Sequence, residues 1–344
     1  MDASITMNAA ATGAAFLVSA ACAAVMGFAI QRGATCTVAA VDEVLRQRRC
    51  GRLLSMVEAS LWVAGGLAVV HATGVLPVMS AGYPVGALTV VGGALLGVGA
   101  YVNGACVFGA IARLGSGEWS YVATPVGFYL GCVSLSFFHA ASPPQLLGRN
   151  SPVLQAPLAS VVFVLLFLLA RLALAVWTST RPSRLLTAGR RLENVVKRAW
   201  SPHLATTVIA LSFLVMLLLV GAWAYTDVLA DLAHGMAANL GVRILLLVAL
   251  LAGAMLGGAL AGRWKASGIT LAQLARCIAG GVLMGWGSLL IPGGNDGLVL
   301  VGMPLLWPYA WTAFLTMALA IAAAHWVARA PALSQLNVGP GRTR

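Results

Sequence analysis

Charged side chains are scarce: Asp and Glu number nine and Lys and Arg 21 among 344 residues, so 9% of the chain is charged. A soluble domain carries about 25%, and a disordered segment is richer still in charge, so both are excluded. Cysteine is also sparse, six in all, which excludes a disulfide-stapled secreted module. None of the five histidines pairs with Cys or another His at a metal-ligand spacing, so neither a metal site nor a resident cofactor is expected. No P-loop string occurs, which argues against an ATP-driven pump in one chain. Gly97-x-Gly99 ahead of Gly104 has the outline of a dinucleotide fingerprint, but it lies in an apolar run rather than at a strand-to-helix turn.

What fills the chain instead is apolar. Hydrophobic residues make up 60%, with a mean hydropathy of +0.92, and the composition is that of an all-α polytopic membrane protein. A span needs roughly 20 mostly apolar residues, and nine stretches qualify: 13–30, 53–72, 85–103, 121–140, 153–177, 203–223, 243–262, 277–291 and 305–328. Of the 21 basic residues behind the net charge of +12, 16 fall in clusters between them, so the positive-inside rule explains it better than nucleic-acid binding does. The clusters are Arg46–Arg52, Arg181–Arg198, Arg263–Arg276 and Arg329–Arg344. Nine spans with a periplasmic N-terminus and a cytoplasmic C-terminus put all four on one side. The first apolar run lacks the basic lead of a cleaved signal. The chain thus divides into an N-terminal membrane half (1–177), a basic cytoplasmic linker (178–202), a C-terminal half (203–330) and a tail (331–344).

Glycine and proline interrupt three of the apolar runs, at Gln31-Arg32-Gly33-Ala34-Thr35-Cys36, at Asn103-Gly104-Ala105-Cys106 and at Ile291-Pro292-Gly293-Gly294-Asn295-Asp296. Helix breaks at membrane depth survive only around protein or a cavity, so short re-entrant helices are expected after each, with another at 226–240. Residues 92–109 and 280–297 also match at six of 18 positions without a gap, at an offset of 188 residues. The two copies run in opposite directions through the bilayer, which predicts an inverted repeat with its site at the repeat interface.

Cys36 and Cys106 each follow a glycine break, where a short helix begins and free N–H groups attract anions. Two such thiols suit an anion containing soft sulfur; packing as small hydrophobes is the other reading. Cys22 and Cys132 fall mid-span, and Cys50 and Cys277 at cytoplasmic ends, where packing suffices. Arg32 either lines the entrance or anchors at the interface. Asp227, Asp231 and His234 share a helical face at i, i+4 and i+7, as a metal or proton site or as a solvated helix end. Asp296 is an intramembrane acid, a functional candidate or a helix cap.

On the strings from Gly27 to Cys36, from Gly92 to Gly109 and from Gly280 to Gly297, the chain resembles the YeeE/YedE sulphur-transport family. The resemblance covers about residues 13–328 and implies an hourglass of nine helices with short re-entrant helices meeting at its waist. It further implies a non-enzymatic inner-membrane permease that imports a small sulfur anion, thiosulfate first, past thiols at the waist. The substrate-binding set is then Arg32, Gly33, Cys36, Gly104, Cys106, Gly293, Gly294 and Asn295. Partners are the anion, the lipid bilayer and a cytoplasmic sulfur-carrier protein. The family pattern has a third cysteine, and Gly294 stands in its place. On that pattern Gly294→Cys is expected to raise activity. The alternatives are a membrane thiol-redox protein and a transporter of selenium or another sulfur compound.

Overall fold

The computed structural model describes residues 2–74, 79–138, 146–147, 151–155, 157–179, 199–235, 240–262, 264 and 267–336. The chain is about 81% helical, with no strand among the described residues. The helices are α1 (Asp2–Gly33), α2 (Thr37–Gln47), α3 (Gly51–Ala72), α4 (Ala87–Asn103), α5 (Val107–Gly115), α6 (Ala123–Phe138) and the one-turn α7 (Pro152–Gln155). After it come α8 (Pro157–Ser179), α9 (Pro202–Val220), α10 (Tyr225–Ala233), α11 (Leu240–Leu260), α12 (Leu271–Leu290), α13 (Asn295–Gly297, continued as a π turn to Gly302) and α14 (Pro308–Leu336).

A helix therefore occupies each of the nine predicted spans. Among the described residues seven are long and apolar enough to cross a bilayer, or eight if the bent pair α12–α13 counts as one span. Within α8 the apolar stretch Val161–Ala173 is shorter. The basic loop from Arg181 to Arg198, Arg263, Lys265, His139, Arg149, Arg342 and Arg344 lie outside the described residues.

Short helices stand after all three breaks and in the 226–240 region, as α2, α5, α13 and α10. Each break has a local cause. Ala34 takes a left-handed φ of 46° after Gly33, and Gly104 ends α4 with a φ of 78°, a conformation that favours glycine. Gly221 ends α9 at 88°, and Gly293 stands at 147° between α12 and α13, where the chain turns by 50°. The groups freed at these turns are re-paired locally: the N–H of Thr35 donates to Ile30 O at 3.2 Å, and that of Gly293 to Ser288 O at 2.8 Å.

Packing builds two sets of long helices around the short ones. The α4 helix lies against α12 and α14, and α12 also lies against α6; α1 lies against α9 and α11, and α9 also against α3. Without a hydrophobic drive between helices in lipid, small residues hold such interfaces by letting backbones approach. Between α4 and α12 the approach is reciprocal. A Cβ on Gly99 would stand 2.7 Å from the carbonyl oxygen of Gly280, and one on Gly280 would stand 2.6 Å from that of Gly99. Gly92 and Gly287 repeat the relation at 2.8 and 2.6 Å.

The α8 helix is tied to α3 by charge. Glu58, 7% exposed, accepts from Arg171 of α8 at 2.8 Å and lies 2.5 Å from His203 Nδ1 of α9. Trp62 Nε1 also donates to it, at 3.2 Å.

Candidate functional site

Two short helices begin at thiols, and each thiol serves the other's helix. Cys36 is the N-cap of α2 and Cys106 that of α5, both with extended backbone. The N–H of Thr37 donates to Cys106 Sγ at 3.2 Å, while the N–H of Cys106 donates to Cys36 Sγ at 3.4 Å. Sulfur acceptors here replace the oxygen acceptors usual at helix starts. Both cysteines are unbridged and buried, Cys106 completely. Gly109 makes the room, since a Cβ there would lie 2.5 Å from Cys36 Sγ.

Asn295 joins this pair through Thr37. The Thr37 hydroxyl donates to Asn295 Oδ1 at 3.4 Å, and all three of Thr37, Cys106 and Asn295 are fully buried. The Asn295 side-chain N–H2 has no hydrogen-bond partner. A sealed donor of this kind is uncommon in folded proteins. The waist therefore holds two thiols and one unused amide donor.

Gly294 is the N-cap of α13, and the place where its side chain would go is filled. A Cβ on Gly294 would run into the Thr226 side chain of α10, with Thr226 Cβ at 2.7 Å. Thr226 in turn holds Asp296: its hydroxyl donates to Oδ1, and its N–H to Oδ2 at 3.2 Å. A thiol at position 294 has no space, which corrects the gain expected of Gly294→Cys. The variant should lose stability by about 1–3 kcal/mol through overpacking, read as a lower melting temperature in detergent, and uptake should fall with it.

The other residues singled out in sequence have separate places. Gly104 lines a cavity of about 410 Å³, open beside Cys36, that also touches Gln31, Asp42, Arg46, Arg52, Arg113 and His325. Arg32 is not among the residues lining it; buried to 2% exposure, it reaches Gly257 O at 3.4 Å and lies over the Phe28 ring. Gly33 packs against Ala205 of α9, and a Cβ on Gly293 would meet open space. The cavity's arginines are instead Arg46, Arg52 and Arg113. Each arginine there has an acid: Arg46 with Asp42 at 2.5 Å, Arg52 with Glu43 at 3.6 Å and Arg113 with Glu118 at 3.0 Å.

Asp227, Asp231 and His234 do not converge on a shared ligand. Asp231 pairs with Arg243 of α11, and His234 lies 2.7 Å from Ala230 O and 3.2 Å from Ser136 Oγ. Asp227 faces inward, its carboxylate 3.8 Å from where a Cβ on Gly297 would be. Burial and that carboxylate push the Tyr83 phenol up. Among the described residues no group of three His, Cys, Asp or Glu could hold a metal ion. Of the remaining cysteines, Cys132 and Cys277 sit in packing contacts, Cys132 Sγ 3.8 Å from Gly285 O and Cys277 Sγ accepting from Gln273 at 3.5 Å, while Cys22 is half-buried and Cys50 exposed.

No curated protein sequence matches the chain. The family model described as sulphur transport matches residues 32–323, from the first break to the middle of the last long helix, and the chain belongs to that YeeE/YedE sulphur-transport family.

Proposed function

We propose that the chain imports a small sulfur oxyanion, thiosulfate first among them, through the waist where Cys36, Cys106 and Asn295 meet. One observation carries this reading: a buried amide donor without a partner stands one residue, Thr37, away from two mutually capping thiols. A thiosulfate ion has oxygens for the amide and a soft terminal sulfur for the thiols. The thiols act here as hydrogen-bonding groups, so the chain is a permease rather than an enzyme. A redox pair would need both thiols within reach of an electron acceptor; Cys36 borders the cavity, but Cys106 is fully buried.

The same offset that relates the glycine blocks supports an inverted repeat. The heads of the short helices are 188 residues apart in both cases, Cys36 with Ala224 and Cys106 with Gly294. Long-helix pairs follow suit: α1 against α11 corresponds to α9 against α3, and α4 against α14 corresponds to α12 against α6. The Gly92–Gly287 contact likewise maps onto the Gly280–Gly99 contact. In this frame α2 and α5 open toward one side and α10 and α13 toward the other, with the anion site between them. The basic clusters favour the α2–α5 side, with its arginine-lined cavity, facing the cytoplasm of an inner membrane. A cytoplasmic sulfur carrier would collect the anion there.

Cells lacking other importers and given labelled thiosulfate should accumulate it only when this chain is expressed. No accumulation from a chain that reaches the membrane would refute the proposal. Uptake of selenite in preference to thiosulfate would favour the selenium alternative.

A further inference from the structure

Thr226, which fills the space a third thiol would need, holds a carboxyl group. Asp296 is 2% exposed and follows directly on Asn295, whose amide lacks a partner. Its oxygens accept from the N–H and hydroxyl of Thr226, and among the described residues no Arg, Lys or His pairs with it. On the reading that an anion sits within reach of the Asn295 amide, it sits one residue along the chain from this carboxylate, which turns toward α10 while Asn295 turns toward α2. Two like charges so close in a water-poor interior repel, and among the described residues no cation pairs with the carboxylate to offset them.

The neighbours do not relieve the conflict. From α10, Asp227 adds a second acid, and Tyr225 is neutral unless ionised. From α5 comes the Cys106 thiol, and beyond Asp227 lie the Tyr83 and Tyr309 phenols. Arg243 of α11 is engaged by Asp231, and Glu58 of α3 is held by Arg171 and His203. A proton on Asp296 itself would remove the repulsion. Once protonated, Asp296 is neutral and offers an O–H donor next to the Asn295 amide.

We infer that Asp296 takes up a proton with each anion entering the waist, so that anion uptake is coupled to proton movement. The inference rests on the transport reading above and adds its driving ion. Binding of the anion favours protonation, and by reciprocity a low pH favours the anion.

The test uses the full chain in proteoliposomes with the membrane potential clamped, labelled thiosulfate outside and a pH dye inside. Uptake should run several-fold faster with an acid exterior than with equal pH, and the lumen should acidify in step with it. Asp296→Asn keeps the acceptor for Thr226 but cannot carry a proton; its uptake should be slower, indifferent to the pH gradient and without a dye signal. Asp296→Glu should keep the coupling with a displaced pH profile. Wild-type uptake that ignores the gradient and leaves the lumen pH unchanged would overturn the inference and leave the transport reading standing. Coupled uptake that persists in Asp296→Asn would overturn it too. No uptake of thiosulfate, sulfite or sulfate by the folded wild-type chain would instead overturn the transport reading, and the inference with it.

Discussion

Uptake should be lost when Cys36 or Cys106 becomes alanine, and kept when Cys22, Cys132 or Cys277 does. Alanine preserves small volume at all five positions and removes only the sulfur. At Cys106 the sulfur accepts the Thr37 N–H, and at Cys36 it accepts the Cys106 N–H. Losing either leaves a buried donor unpaired, at a cost of about 1–3 kcal/mol, roughly five- to 150-fold in an equilibrium. Two readouts separate structure from transport. If the thiols only cap helices, the alanine variants melt earlier, and serine, which also accepts, restores both stability and uptake. If they handle the anion, serine restores stability while uptake returns only in part. Wild-type rates in both alanine variants would remove the thiols from the mechanism.

Gly280→Ala should destabilise the protein by about 1–3 kcal/mol or more, whereas Gly241→Ala should be neutral or mildly stabilising. The added methyl is the same, but its surroundings differ. At Gly280 it would press on Gly99 O at 2.6 Å and on the Asn103 backbone N at 2.7 Å, whereas at Gly241 nothing stands within 4 Å. Backbone on a facing helix cannot rotate away as a side-chain tip can. At Gly241, near the start of α11, alanine also gains helix propensity. Thermal unfolding in detergent of the two variants beside wild type decides it; equal melting temperatures would mean that α4 and α12 can separate freely.

Much of this architecture could be read along the chain because its causes are local. Glycine and proline broke the helices where they stood, at Gly33–Thr35, Gly104 and Pro292–Gly294, and the regular spacing of Gly92, Gly99, Gly280 and Gly287 was a packing surface written in one dimension. What could not be read depends on residues brought together from far apart. Thr37 carries no motif, yet it joins Cys106 to Asn295. Nothing near Gly294 says that Thr226 fills its side-chain space, nor that Asp296 would reach Thr226 of another helix. Gln31 rather than Arg32 lines the cavity because neighbouring helical residues point about 100° apart, a rotation that the break itself sets. The arginines of the cavity come from three separate helix ends, a convergence that only the folded chain makes visible.

The four-glycine contact also limits how such a protein can move. Transporters that rock two halves about a fixed site must let the seam between those halves slide or part. Here the seam runs through Gly92, Gly99, Gly280 and Gly287, where each facing carbonyl oxygen lies within 2.8 Å of the place a Cβ would take, so the two backbones pack directly against each other. Backbone locked to backbone behaves as an axle. With the axle fixed, the cheap motions left are those of side chains at the waist, a thiol turning about χ1 or Asn295 swinging its amide. Passage would then proceed as a handover between small groups, on a clock set by rotamers instead of domains.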